Sequence, residues 1–265
     1  MHRWRPTLLV RLTLTYHVLA LLMLIITPVH WRWLLAGLVA NHVIITLVGL
    51  WPRSHWLGHN WTELPAAATA RHEIALTIDD GPDPEVTPKV LDLLAHYQVT
   101  ATFFCIGKLA QRYPELCRDI VHRGHALENH SHQHPHYFSL LGMAGIRREI
   151  QAAQDALTAV GGQRPLFFRA PAGLRNLFLD PVLHQLGLRL ASWSVRAYDT
   201  RVGDAEKVAR KLINGLQPGA IILLHDAHAA RTPTGEPVIL AALPAVLEAA
   251  AAAKLHFVTL RHALS

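Results

Sequence analysis

The sequence predicts an α/β fold: a distorted (β/α) barrel of about seven parallel strands, preceded by an N-terminal transmembrane helical hairpin. Three observations carry that expectation. From residue 74 onward short apolar runs alternate with helical patterns, and regular β-then-α alternation specifies a parallel sheet covered by helices. Ionisable residues gather where the apolar runs end, which is where barrels collect their sites. Ahead of all this lie two long apolar runs without an acidic residue. The expected domains are a membrane anchor over 1–53, a linker over 54–73 and an α/β domain over 74–265.

Leu12 to Thr27 carries no charge, and Thr7–Arg11 lengthens it. Trp33 to Trp51 gives 19 residues without an ionised side chain. Both approach the ~20 residues of a spanning helix. Pro28 to Arg32 separates them, and Trp31, Trp33, Trp51 and Trp56 flank them like interfacial anchors. A cleaved signal peptide is the alternative, but no small-residue cleavage site follows the first run. Arg3, Arg5, Arg11 and Arg53 flank the pair while its turn holds only Arg32. That balance predicts a multi-pass inner-membrane protein with both ends on the cytoplasmic face.

Of 25 basic and 19 acidic residues, five of the basic and none of the acidic fall in 1–53. A nearly neutral domain on a basic anchor excludes nucleic acid as a partner. Cys105 and Cys117 are too few for a disulfide framework or a cysteine metal cluster. Residues 52–73 have linker composition, and the sequon Asn60-Trp61-Thr62 within them carries no weight alone.

In order, the expected strands are 74–79, 101–106, 125–129, 166–169, 188–194, 220–225 and 255–260. Helices are expected near 85–97, 108–122, 142–160, 178–187, 204–215 and 236–254. No Gly-rich fingerprint follows the first strand, so a nucleotide-binding sheet is disfavoured. The strand ends carry Asp79 and Asp80, then His130 to His134, Arg169, Asp199 and finally His225-Asp226.

Two carboxylates at the end of an apolar strand need positive compensation, which a metal supplies with one Asp as ligand and the other as base. A solvated Asp-Asp-Gly-Pro turn is the plain alternative. His130 and His134 share one face if one helical turn carries them, a turn that Pro135 must end. His130 and His132 could instead chelate from a strand, and a metal-free His-rich loop is also open. His132 and His136 read as bystanders. Two imidazoles and one carboxylate, Asp80, make up a catalytic zinc site with a position left for water.

These residues resemble the polysaccharide deacetylases of carbohydrate esterase family four over about 72–262. Thr77 to Pro82 looks like the first motif and His130-Ser131-His132-Gln133-His134 like the metal motif. Arg169-Ala170-Pro171-Ala172-Gly173 is similar to the third, and Leu223-Leu224-His225 to the last. The resemblance implies Asp79 as base, Asp80, His130 and His134 as ligands of one divalent metal, and Arg169 as partner of the base. It also implies His225 as acid, Asp199 as its orienting carboxylate, and Leu223 and Pro171 at the substrate. Zinc is the expected ion, with cobalt and nickel suiting the same donors. Arg196 and Thr200 depart from the family's two-aspartate-and-Trp pattern.

The implied function is metal-dependent removal of an N-acyl group, acetyl or formyl, from an amino sugar in a polysaccharide or lipid-linked glycan. A non-catalytic membrane-anchored carbohydrate-binding protein with a decayed site is the alternative.

Overall fold

The computed structural model describes residues 4–265. Arg3, counted in the charge balance, lies outside the described residues. The elements run α1 (Leu8–Ile26), α2 (Trp31–Gly49), α3 (Ala66–Ala70), β1 (Glu73–Asp79), α4 (Thr87–His96), β2 (Thr102–Cys105), α5 (Gly107–Arg112), α6 (Pro114–His122), β3 (Ala126–Asn129) and α7 (Met143–Gly161). They continue with β4 (Phe167–Phe168), α8 (Leu179–Leu186), β5 (Arg189–Leu190), β6 (Val195–Arg196), α9 (Ala205–Ile213), β7 (Ile221–His225), α10 (Val238–Ala252) and β8 (His256–Phe257).

The strands are all parallel, in the order β5-β4-β3-β2-β1-β7-β6, with β8 added to the start of β1. The result is the expected barrel left open, a half-barrel rather than a closed ring. Strand alternation decides what faces inward. On β1, Ile74, Leu76 and Ile78 pack outward with Leu91, Leu94 and Leu243 of the covering helices. Ala75, Thr77 and Asp79 face the other way, in register with Ile221, Leu223 and His225 of β7. The interior is therefore layered: Ala75 and Ile221 at the floor, Thr77 and Leu223 above them, Asp79 and His225 at the mouth, where Phe104 of β2 is in register with Asp79.

Two expected elements differ. The helix near 108–122 is broken between α5 and α6, because Pro114 has no N–H to continue it and restricts Tyr113 before it. The stretch 188–194 yields only β5, and β6 pairs separately with β7. The gap is filled by residues expected to be a linker. Trp61 donates to the Leu190 carbonyl and accepts from Ser192 N–H, and Leu64 donates to the Gly219 carbonyl. Asn60 is buried and ties Pro52 and Ser54 together through its amide, so the sequon is not a surface acceptor.

The N-terminal helices are long and apolar enough to cross a bilayer: 19 residues at mean hydropathy 2.1, and 22 residues over Pro28–Gly49 at 1.5. A membrane anchor and a signal sequence both have these properties. They pair through Asn41, whose amide donates to Thr13 Oγ1 at 3.1 Å, and through Tyr16, whose hydroxyl donates to the Leu34 carbonyl. The foot of the pair packs on the α/β domain. Val10 and Ile45 cluster with Leu57, Trp4 donates to Asp180, and the Gly49 carbonyl accepts Arg175 N–H.

Candidate active site

The C-terminal strand ends surround a cleft of about 250 Å³. Asp79, Asp80, His130, His134, Leu223 and His225 line it. Arg169 and Asp199 stand buried behind that wall. Pro171 is buried at the start of its turn, and its neighbours Ala172 and Gly173 line the cleft.

Asp79 and Asp80 part company because Asp80 takes a left-handed backbone (φ 75°) at the strand end. Asp79 remains inside the barrel, where Arg169 Nη1 bonds its Oδ1 at 2.7 Å. Every edge of that guanidinium is occupied: Nη1 also donates to Thr77 Oγ1, Nη2 to the Ser192 carbonyl and Nε to the Ala191 carbonyl. Its carbon lies 4.2 Å from the centroid of the Phe104 ring. Burial lowers the Arg169 pKa, and the Asp79 charge opposes that. The pair is thus held in a fixed geometry by the barrel interior.

Asp80 turns toward the two histidines, its Oδ1 3.2 Å from His130 Nε2 and 3.3 Å from His134 Nε2. These three donor atoms lie within 4.8 Å of one another. The expected helical turn over 130–134 is not formed. Ser131 (φ 64°) and His134 (φ 53°) adopt left-handed conformations, and His134 N–H donates to Ser131 Oγ. The bend, not helical spacing, aims the imidazoles together.

His130 Nδ1 donates to the Arg169 carbonyl at 2.9 Å. A carbonyl only accepts, so Nε2 keeps its lone pair for a ligand. His134 Nε2 is buried without a hydrogen-bond partner. Burial and the neighbouring His130 push its pKa to about 4, so the ring is neutral and has a nitrogen lone pair to offer. Burial works to raise the Asp80 pKa, but the imidazoles gathered around it, His130, His228 and His225, hold it well below the usual carboxylate range. An anionic oxygen and two imidazole nitrogens, one orphaned in the protein interior, fit a divalent cation of borderline softness.

Across the cleft, Asp199 Oδ1 accepts from His225 Nδ1 at 3.0 Å, and its Oδ2 accepts His225 N–H at 2.7 Å. Burial lowers the His225 pKa, and the Asp199 bond and charge more than offset it, leaving it raised. Beneath, the buried Asp226 accepts from Thr87 Oγ1 at 2.5 Å, and burial pushes it up to about 7. It fills the space where a Cβ on Gly81 would stand, 2.4 Å from its Oδ2.

Sequence reasoning missed several residues here. His228 lines the cleft with Nδ1 3.5 Å from Asp80 Oδ2, and Trp193 forms part of the wall. His136, set aside beside His132, also lines it. Backbone strain was the hidden signal: of the nine non-glycine residues at positive φ among the described residues, Asp80, Ser131, His134, Ala172, Tyr198 and His228 are all around this mouth.

A buried carboxylate–guanidinium pair opposite a carboxylate-held imidazole, with a cation cradle between, defines a class of protein: a hydrolase. The comparisons narrow that class. The family model described as polysaccharide deacetylase matches residues 66–191. A chitooligosaccharide deacetylase of Azorhizobium caulinodans is 38% identical over 154 residues, covering 58% of this chain and 73% of its own. A peptidoglycan-N-acetylglucosamine deacetylase of Bacillus cereus is 32% identical over 180 residues, 66% of this chain and 64% of its own.

Among solved structures, a peptidoglycan N-acetylglucosamine deacetylase superposes with TM-score 0.69 at 29% identity, over 77% of this chain and 91% of that one. A family 4 carbohydrate esterase from Streptomyces lividans does so at 0.63 and 32%, over 70% and 91%. The chain belongs to the polysaccharide deacetylase family, the carbohydrate esterases of family four, and is an amide hydrolase.

Proposed function

We propose that the protein removes the N-acyl group, acetyl or formyl, from an amino sugar of a glycan presented at a membrane surface. The observation that carries this is the placement of Asp79 and His225 at the ends of adjacent strands, each backed by its own partner, Arg169 or Asp199, around the Asp80, His130 and His134 cradle. Those three residues would hold one divalent cation, with zinc expected first. When bound, such an ion supplies a Lewis acid for the acyl oxygen and lowers the pKa of the attacking water.

The chain's own residues handle the protons. Asp79, oriented by Arg169, takes the proton of the water as it attacks the acyl carbon. His225 delivers a proton from Nε2 to the departing nitrogen, because an amine leaves poorly as an anion. Asp199 fixes Nδ1 as the far donor, so Nε2 faces the cleft. Leu223, at the barrel mid-layer, flanks the small acyl group.

The foot of α2 supports a membrane-borne, lipid-linked glycan. The Gly49 carbonyl accepts from Arg175, and the Ser192 hydroxyl donates to the Pro52 carbonyl at 2.7 Å. Gly173, which lines the cleft together with Trp193, is packed so closely between Pro52 and the Trp193 ring that a Cβ there would collide with both. A cleft braced by the end of an apolar hairpin suits a sugar whose carrier stays in lipid. Arg3, Arg5, Arg11 and Arg53, against the lone Arg32 of the turn, favour the cytoplasmic side for this cleft. An inactive alkaline phosphatase fused at Ser265 agrees with that placement, and an active one contradicts it.

The activity itself is tested by acetate release from N-acetylated chitooligosaccharide, abolished by chelation and restored by zinc. No release after zinc is restored, on either acetylated or formylated sugars, would rule the function out.

A further inference from the structure

Arg196 brings a charge to the cleft that the chemistry above does not use. It ends β6 in register with Leu223, and its side chain lines the cleft beside Trp193 and Thr200. Its guanidinium carbon lies 5.3 Å from the Trp193 ring centroid and 4.9 Å from that of Tyr198. Two rings at that range fix the plane of the fork. Tyr198 reaches this position from a left-handed backbone (φ 60°), a strained conformation that needs a compensating contact.

Arg169, the neighbouring guanidinium, is committed to Asp79 and three further acceptors. Arg196 has no such partner: among the described residues no carboxylate pairs with it, and its Nε is buried without a hydrogen bond. A held, planar and unpaired guanidinium at the wall of a substrate cleft is complementary to an oxyanion.

We infer that Arg196 recognises an oxyanion, a phosphate ester or a carboxylate, on the sugar that carries the scissile amide. The preferred substrate is then an anionic amino sugar. This rests on the deacylase function proposed above for the reaction, though not for the binding. Phosphate at the sugar is the natural source for a lipid-linked carrier, since such sugars hang from the lipid by a phosphate ester. A carboxylate on the sugar would come from wall-type glycan.

The test uses the full chain, zinc-loaded in detergent, with Arg196→Gln and Arg196→Lys. N-acetylglucosamine 1-phosphate, N-acetylmuramic acid and uncharged methyl N-acetylglucosaminide serve as substrates. The expected result is a wild-type kcat/KM about tenfold or more higher on an anionic sugar than on the neutral one. Arg196→Gln should bring that ratio close to unity, and Arg196→Lys should keep part of it. Preference for the phosphate alone identifies the lipid-type source, and for the carboxylate alone the wall-type source; either upholds the inference.

A structural role for Arg196 lowers kcat/KM on all three together and leaves the ratio intact, which overturns the inference, as does a wild type without preference. Calorimetry with glucosamine 1-phosphate reads the same contact without turnover, with binding expected to weaken about tenfold or more in Arg196→Gln. An unchanged affinity refutes the contact. Arg196-dependent binding without hydrolysis of any sugar refutes the deacylase function and leaves the anion site standing.

Discussion

Replacing Asp199 by Asn tests how the cleft makes an acid of His225. Asp199 is fully buried and accepts both the His225 N–H and its Nδ1–H. At ~3 Å and an effective dielectric of about 20, one charge pair is worth on the order of 5 kcal/mol. Asn keeps one acceptor oxygen but loses the charge, so the His225 pKa is expected to fall. It has one oxygen for two donors, so its NH₂ must also oppose one of them, which favours the wrong imidazole tautomer.

The sign follows from the raised His225 pKa in the folded protein. The acid form persists to higher pH, and Asp199→Asn moves the alkaline limb of kcat to lower pH, with kcat at neutral pH falling on the order of 100-fold. An activated ester, whose leaving group needs no proton, should lose far less. The same linkage appears in stability. The raised folded pKa contributes fully below the unfolded imidazole value, near ~6.5, and is lost as pH rises through the folded value. The Tm gap between parent and variant should narrow across that window. An unmoved alkaline limb, or equal losses on amide and ester, would refute the acid role of His225.

Asp80→Asn should lose zinc affinity by more than ~100-fold together with activity, read by metal analysis after dialysis. Arg169→Met strands the buried Asp79 carboxylate and three acceptors, so thermal unfolding should register a loss of about 3–5 kcal/mol. Gly173 has φ +73°, and a Cβ there would lie 2.6 Å from Pro52 Cβ and from Trp193 Cη2. Gly173→Ala should therefore cost about 1–3 kcal/mol and speed hydrogen exchange over residues 49–54, where the hairpin meets the cleft.

The barrel was legible in the sequence because buried parallel strands read as continuous apolar runs, and Ile74 to Ile78 and Ile221 to Leu224 do so. The metal cradle was legible through residue types at strand ends, although the helical turn assigned to His130–His134 was wrong. Left-handed Ser131 and His134 are set by tertiary contacts, which no local periodicity records. β6 escaped because two residues carry no period. The tight docking of 54–73 was invisible because its bonds run to backbone of β5 and of Gly219, far away in sequence. His228 and Trp193 reach the cleft through loop geometry, so composition gave them no distinction from other polar and aromatic residues.

The central claim is that Asp79 acts as base beside a cation it does not need to hold. Its most direct test is acetate release from acetylated chitooligosaccharide by parent and Asp79→Asn at matched zinc content. The expected result is equal zinc in both proteins and turnover lower by about 10²–10⁴-fold in the variant. Turnover within a few-fold of the parent at full zinc occupancy, or loss of zinc together with turnover, would contradict it.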